Sequence, residues 1–251
     1  MEQRVTVCVL LYGNYPELAR QVIHSIVSNC DKRFYKLIVG CNACCRETLD
    51  FINTVGQIDQ TIVSEENLNK CPMQRKMFKL VDTEFVWWFD DDSYVIENDA
   101  LDRRLALADA APQTTVLWGP LFYWNDQAQF NFGIDVSPWI RSQSWYSREP
   151  IPCDPSGKWV FIIGGCWFAR TSILRHLNWP PESFVKPGDD AIFCEAMRQS
   201  GHAFESIGEC GVQFQTHERR APETLEMMLA QVAAADYPAS THSQQSGSDL
   251  S

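Results

Sequence analysis

The sequence predicts an α/β protein with a mostly parallel, doubly wound sheet, and two observations support this fold class. Val5 to Leu11 is a near-continuous apolar, β-branched run, as expected of a strand buried on both faces. Further strand-like runs follow it, separated by stretches in which apolar residues recur at helical spacing. Strands that alternate with helices in this way are typical of a parallel sheet with helices on both faces.

The first half of the chain alternates most regularly. Gly13-Asn14 interrupts the first strand, and Pro16 opens a helix with apolar residues three or four positions apart. The later predicted elements are strand Tyr35 to Gly40, helix Arg46 to Val55, strand Gln60 to Ser64, helix Pro72 to Val81 and strand Glu84 to Phe89.

The second half is less regular. Residues 120–157 are rich in aromatic and polar side chains without a clear period, which predicts irregular structure. We expect a single domain over residues 1–236, with halves at 1–97 and 98–236, and a disordered tail at 237–251. The predicted elements are helix Asn98 to Ala111, strand Thr115 to Trp118, a strand-like stretch from Lys158 to Arg170, helix Asp189 to Gln199 and helix Ala221 to Ala235.

Composition excludes some classes of protein. With 251 residues, 45% of them hydrophobic, the chain can bury a sizeable core. Its net charge of −11 disfavours a nucleic-acid-binding protein, because such proteins usually carry a basic surface. The apolar stretch near the N-terminus is too short for a signal peptide or a membrane span, so we expect a soluble, cytoplasmic protein.

Ten cysteines is a high count for a cytoplasmic chain. Cys41, Cys44 and Cys45 resemble half of a zinc site, but no second cluster with matching spacing follows them. We therefore favour packing over structural zinc. The cysteines expected to be buried in strands or helices are Cys8, Cys41, Cys166 and Cys194.

The strongest local motif is the acid run Asp90-Asp91-Asp92, which directly follows a hydrophobic strand. Open α/β sheets bind their ligands at the carboxyl ends of the strands. Three neighbouring carboxylates repel one another, so a hard cation such as Mn²⁺ or Mg²⁺ is their natural partner. The alternative is a solvated acidic turn, which is what most acid runs are.

A second acid pair and a histidine complete the candidate site. Asp189 and Asp190 lie at a predicted helix N-terminus, where they would cap the helix or supply a general base. His217 follows a strand-like alternating stretch. It is either a surface residue or a metal ligand.

Taken in order, these motifs resemble the GT-A glycosyltransferase superfamily, nearest to its family-2-like inverting enzymes. The run Asp-Asp-Asp-Ser-Tyr-Val is also similar to that of the Fringe and β1,3-galactosyltransferase families. The resemblance covers roughly residues 5–220 by motif order. It implies metal-dependent transfer of one sugar, with inversion, from a nucleotide-diphosphate sugar, most simply a UDP-sugar, to a hydroxyl acceptor.

The resemblance also assigns roles to residues. It implies that Asp92 and His217 bind the metal, that Asp90 contacts ribose or the metal's water, and that Asp190 is the catalytic base beside Asp189. The halves 1–97 and 98–236 become the nucleotide-binding and acceptor halves. The implied donor-binding residues are Leu11, Tyr12, Gly13, Asn42, Arg75, Lys76, Asp90 and Asp91. On the acceptor side it implies Gly165 and Trp167. Independently of the resemblance, Trp124, Trp139 and Trp145 of the aromatic stretch are either acceptor contacts or core residues beneath a long loop.

Several points stay open at the level of sequence. Family-2 members usually carry an aspartate that recognises uracil where this chain has Asn42, so the nucleobase is open. The acceptor is a saccharide, a protein, a small molecule or a modified nucleobase. A nucleotidyltransferase is a weaker alternative, because no Gly-rich basic loop follows the first strand. A non-catalytic module that binds nucleotide sugars or carbohydrates is the other alternative.

Overall fold

The computed structural model describes residues 3–124, 142–144, 146, 159–162, 164–181, 189–208 and 211–214. Its strands are β1 (Val5–Tyr12), β2 (Tyr35–Asn42), β3 (Gln60–Ser64), β4 (Phe85–Asp90), β5 (Ser93–Val95), β6 (Thr115–Gly119), β7 (Leu121–Trp124), β8 (Trp159–Ile162), β9 (Cys166–Arg170), β10 (Ala203–Ser206) and β11 (Val212–Phe214). Its α-helices are α1 (Pro16–Asn29), α2 (Arg46–Thr54), α3 (Lys70–Phe78), α4 (Ala100–Ala110), α5 (Thr171–His176) and α6 (Asp189–Gln199), and a 3₁₀ turn spans Lys32–Phe34.

Seven strands form the main sheet, in the order β10-β6-β9-β4-β1-β2-β3. The four strands from β4 to β3 are parallel, and so are β6 and β10. β9 lies antiparallel between β4 and β6. The predicted α/β class with a mostly parallel sheet is confirmed.

Helices cover both faces of this sheet, and alternate side chains of β4 supply the two apolar layers. Trp87 and Phe89 pack with the buried face of α1, around Ile23. Trp88 points to the opposite layer, where Met77 of α3 lies. The period-2 alternation of a strand between two helical layers explains why β4 is apolar throughout.

Two small antiparallel pairs lie beside the main sheet, β5 with β11 and β7 with β8. The pair β7–β8 corrects two predictions. Leu121–Trp124 is a strand, although residues 120–157 were expected to be irregular. The strand-like stretch from Lys158 to Arg170 is two strands, because β8 pairs with β7 whereas β9 joins the main sheet. The predicted helix from Ala221 to Ala235 lies outside the described residues.

The boundary of α3 also differs from its prediction. The helix begins at Lys70 and not at Pro72. Proline is tolerated in the first turn of a helix, because the N–H that it lacks has no partner within the helix. The shift matters because it places Lys70 in the helix.

Burial of the four cysteines expected in the core, Cys8, Cys41, Cys166 and Cys194, is confirmed.

Across the described part of the chain, every helix is too short or too polar to cross a membrane.

Candidate active site

The acid run leaves β4 at the carboxyl edge of the parallel strands. Asp90 is the last residue of β4, and its backbone N–H donates to the carbonyl of Gly165 at 2.7 Å. Both of its carboxylate oxygens have partners. Trp88 Nε1 donates to Oδ1 at 3.0 Å, and Lys70 Nζ donates to Oδ2 at 2.8 Å. These contacts fix the carboxylate at the start of the acid run.

The next two acids differ in burial. The side chain of Asp91 is 3% exposed, and its Oδ2 accepts from the backbone N–H of Tyr12 at 3.3 Å. This bond joins the end of β1 to the acid run, and the expected contact of Asp91 to the donor stays a prediction. Asp92 is half-buried beside it.

The second acid pair opens α6, as predicted. Asp190 Oδ2 accepts from the N–H of Gly164 at 3.0 Å, and its Oδ1 accepts from the N–H of Ala191 at 2.9 Å. The carboxylate therefore joins the first turn of α6 to the turn between β8 and β9. Carboxylates are stabilised at this end of a helix by its unpaired N–H groups.

The pKa of Asp190 differs from that of an ordinary surface aspartate. Burial raises the pKa of Asp190 to about 6, and the neighbouring charge of Asp189 adds to this shift. Lys70 and the two N–H donors oppose it. Burial also raises the pKa of Asp189, again against Lys70. A carboxylate whose pKa lies near neutral pH is suited to proton transfer.

Lys70 is the central basic residue of this edge, and the sequence analysis missed it. Its Nζ donates to Asp90 at 2.8 Å and to the carbonyl of Gly164 at 2.9 Å. Burial lowers the pKa of Lys70, but the charges of Asp90, Asp189 and Asp190 outweigh that effect and raise the pKa above its ordinary value. Lys70 is therefore charged at neutral pH. The available signal was a lysine just before a predicted helix that leads to the acid run.

The end of β1 lies next to these acids. The side chain of Leu11 is 1% exposed and belongs to the core, so any ligand would meet its backbone. Tyr12 is 40% exposed. Gly13 has a φ of +64°, a conformation that favours glycine, and its carbonyl accepts from the N–H of Cys45 at 3.0 Å. The turn at Gly13 thus joins the ends of β1 and β2.

Asn42 ends β2 and is only 2% exposed. Its Oδ1 accepts from the N–H of Leu68 at 2.9 Å. Its Nδ2 donates to Asn67 Oδ1 at 3.1 Å and to the carbonyl of Asn69 at 3.4 Å. The amide thus holds the loop that leads into Lys70, and a contact to the nucleobase stays a prediction.

The two basic candidates on α3 differ in their contacts. Arg75 donates to the carbonyls of Asn178 and Pro180, at 3.2 and 2.8 Å, and to Asn178 Oδ1 at 3.0 Å. It therefore joins α3 to the turn after α5, and a contact to the nucleotide stays a prediction. Lys76 is exposed on the same helix.

Three of the five acceptor candidates, Gly165, Trp167 and Trp124, lie among the residues that the structure describes. Trp167 is 4% exposed, and its ring stacks on Trp88 with centroids 6.0 Å apart. It packs in the core, whereas its predicted contact to the acceptor stays a prediction. Gly165 lies at the edge, with its carbonyl bonded to Asp90. Trp124 ends β7, whereas Trp139, Trp145 and the metal candidate His217 lie outside the described residues.

A core role for Trp167 has a measurable consequence. Trp167→Phe is expected to lower the free energy of unfolding by about 1–3 kcal/mol, because it removes part of a buried ring without refilling the space. Urea denaturation measures this change. Phe122 is 52% exposed, so Phe122→Leu should stay within about 0.5 kcal/mol of the parent. An unchanged unfolding free energy in the Trp167 variant would contradict its place in the core.

Known structures with the same architecture include a mannosyltransferase and the protein TarS. The mannosyltransferase PcManGT from Pyrobaculum calidifontis, in complex with GDP-Man and Mn²⁺, matches with a TM-score of 0.62 at 15% identity, over 91% of this chain and 61% of its own. TarS 1–349 of S. aureus matches with a TM-score of 0.59 at 15% identity, over 94% of this chain and 67% of its own, both alone and in complex with UDP. The chain has the GT-A fold.

At this level of identity the likeness establishes the fold alone. No family model matches the sequence, and neither does any curated protein. The chain spans about three fifths of the length of the mannosyltransferase, 61%. The chemistry of this GT-A domain must therefore be argued from its own residues.

Acidic side chains at the carboxyl edge of the sheet are the candidate ligands for a divalent cation. Among the residues that the structure describes, no group of three or more His, Cys, Asp or Glu side chains is placed to hold a metal. Carboxylate oxygens are the ligands that Mn²⁺ and Mg²⁺ prefer, and Asp92 lies half-buried in the turn that follows β4. A cation bound there would need further ligands from outside the described residues or from the substrate.

Proposed function

We propose that this GT-A domain is a glycosyltransferase that moves one sugar from a nucleotide-diphosphate sugar to a hydroxyl acceptor, with inversion. One observation carries the proposal. The carboxyl edge of the parallel strands brings together an acid run and a separate, half-buried carboxylate, Asp190, whose pKa is raised to about 6. Ligands of open α/β sheets bind at this edge.

In the proposed reaction Asp190 is the general base. It takes the proton of the acceptor hydroxyl while the acceptor oxygen bonds to the anomeric carbon, and the bond from that carbon to the diphosphate oxygen breaks. Attack from the face opposite the leaving group inverts the anomeric centre. Gly164 and Ala191 hold the carboxylate through their N–H groups, which fixes its direction before the substrate arrives.

We assign the donor to the end of β1 and the acid run. Tyr12 and Gly13 lie at the exit of β1, and the contact between Tyr12 and Asp91 holds that exit against the acids. Asp92, and His217 beyond the described residues, would hold Mn²⁺ or Mg²⁺. When bound, such a cation stabilises the negative charge of the diphosphate leaving group. Support for a nucleotide-sugar donor comes from the structures of similar fold in complex with GDP-Man or UDP.

A donor screen tests the proposal. Thermal unfolding is measured with GDP- and UDP-sugars in Mn²⁺, because a ligand that binds the native state at 100 times its Kd stabilises it by about 2.7 kcal/mol. The donor should raise Tm, and free nucleotide should then appear in the presence of candidate acceptors. A donor that stabilises the protein but is never cleaved would favour the non-catalytic alternative. If no nucleotide sugar stabilises the chain, the proposal fails.

A further inference from the structure

Lys70 bridges the two acidic parts of the site. Its Nζ lies 2.8 Å from Asp90 Oδ2 and 2.9 Å from the carbonyl oxygen of Gly164. The N–H of Gly164 donates in turn to Asp190 Oδ2 at 3.0 Å. One glycine is thus held at its carbonyl by the lysine and at its N–H by the carboxylate. The contacts run without a break from Asp90 to Asp190.

We propose that Lys70 is a positioning residue that couples the acid run to Asp190, by holding Gly164 between them and by placing a positive charge beside the Asp189–Asp190 pair. The proposal rests on the proposed function for its catalytic meaning, since Asp190 is the base only if the chain transfers sugar. The coupling itself is a property of the folded protein without ligands. It can therefore be measured separately.

The close packing around Gly164 supports the mechanical part of this coupling. A Cβ added at Gly164 would lie 3.1 Å from Lys70 Nζ and 3.4 Å from the Cβ of Asp190. Any larger residue would push the lysine or the acid away. The backbone just before Lys70 is also fixed, because Asn42 hydrogen-bonds to the loop up to Asn69. The lysine is thus positioned by the sheet as well as by the acids.

The charges around Asp190 support the electrostatic part of the coupling. From α3 it faces Lys70 and Cys71, and from its own helix Asp189, while Asp90 of β4 acts on Lys70 and on Asp189. Three carboxylates therefore share the charge of one nearby lysine. The negative charge of Asp189 raises the pKa of Asp190, and the positive charge of Lys70 lowers it. Without Lys70, a larger fraction of Asp190 would be protonated at a given pH.

The test compares three Lys70 variants. Lys70→Met and Lys70→Gln remove the charge, and Lys70→Arg keeps it. The carboxyl resonances of ¹³C-aspartate-labelled protein are followed from pH 4 to 8, and the Asp190 signal is assigned by its loss in Asp190→Asn. An opposite charge within 4–6 Å shifts a carboxyl pKa by about one to three units. Both neutral variants should therefore raise the apparent pKa of the Asp189–Asp190 pair by about one unit or more, whereas Lys70→Arg should stay near the parent.

The matched control is Lys76→Met, which removes an exposed lysine of the same helix and should leave the titration unchanged. Circular dichroism identifies any variant that fails to fold, and two neutral variants protect the test against that outcome. If the folded neutral variants titrate like the parent, the coupling is overturned. An equal shift in Lys76→Met would overturn it too, because a remote lysine would then act like Lys70.

A second measurement separates this inference from the proposed function. If the parent transfers sugar, the acidic limb of its pH–rate profile should move to higher pH in Lys70→Met by the same amount as the carboxyl titration. If the carboxyl titration shifts in the neutral Lys70 variants but the parent cleaves no donor, the coupling is supported and the glycosyltransferase is rejected. If the enzyme is active but neither the carboxyl titration nor the pH–rate profile changes in the neutral Lys70 variants, the glycosyltransferase is supported and the coupling is rejected.

Discussion

Replacing Asp190 with asparagine is expected to slow sugar transfer by about 10²–10⁴-fold while donor binding is retained, because general-base catalysis typically contributes this much. Asparagine keeps the shape of the side chain and an oxygen that can accept from Gly164 or Ala191, but it cannot take a proton. Initial rates of nucleotide release measure turnover, and calorimetry measures donor affinity.

The loss should come from chemistry and not from unfolding. Folding raises the pKa of Asp190 above its ordinary value, so ionising this carboxyl at neutral pH costs more free energy in the folded protein than in the unfolded chain. Removing that charge should not lower the unfolding free energy on electrostatic grounds. Asp50→Asn is the matched control, since Asp50 is exposed on α2 and pairs with Arg46 at 3.5 Å. Near-parental turnover of the Asp190 variant would remove this residue from the role of base.

The same assignment predicts a pH dependence. With a pKa of about 6, Asp190 is mostly ionised at pH 7, and about a tenth of it is ionised at pH 5. The transfer rate should therefore fall about tenfold between the plateau and pH 5, and a profile that is flat down to pH 5 would contradict the assignment. Stability should change in the opposite sense. A raised carboxyl pKa favours the folded state at low pH, and that contribution is lost as pH rises through about 6.

The fold class could be predicted because its main signals are local. β1 and β4 are long apolar strands, and the helices between them repeat apolar residues at helical spacing, so chain order alone predicts a parallel sheet. Strands of three or four residues, such as β5 and β11, carry no such period. They form where distant parts of the chain pair with each other, as Val95 does with Val212.

The acids of the site were predictable for a related reason. Asp90 directly follows a predicted strand and Asp190 lies in the first turn of a predicted helix, so both fall at element ends, and the carboxyl ends of strands are where ligands bind. The contacts of Lys70 and Asn42 were not predictable. They depend on how a loop after β3 folds back over β2, and no period in the sequence encodes that approach.

Aromatic residues show the same limit. A tryptophan beside a glycine pair is equally consistent with a sugar-stacking surface and with a core. The antiparallel insertion of β9 beside β4 places Trp167 in the core, because it stacks the ring on Trp88. That strand arrangement is a property of the whole sheet. It could not be inferred from residues near position 167.

Removing the carboxylate of Asp92 is expected to abolish the metal-dependent part of donor binding. If Asp92 is the cation's ligand at the sheet edge, Asp92→Ala should lower donor affinity in Mn²⁺ to the value measured without metal. The loss should be at least about 10–100-fold, since changes to the outer shell of a metal site already cost that much in affinity. Isothermal titration calorimetry with and without Mn²⁺ measures both values for each protein.

A matched control for Asp92 lies near the other end of the same strand. Asp82 precedes β4 at the amino edge of the sheet, where its carboxylate pairs with Lys36 at 2.6 Å. Asp82→Asn removes one negative charge from the same strand's surroundings without touching the carboxyl edge, so donor affinity should keep its dependence on Mn²⁺. If Mn²⁺ strengthens donor binding equally in the Asp92 variant and in the parent, the cation takes its ligands elsewhere. The acid run would then contribute to the site through Asp90 and its ion pair with Lys70.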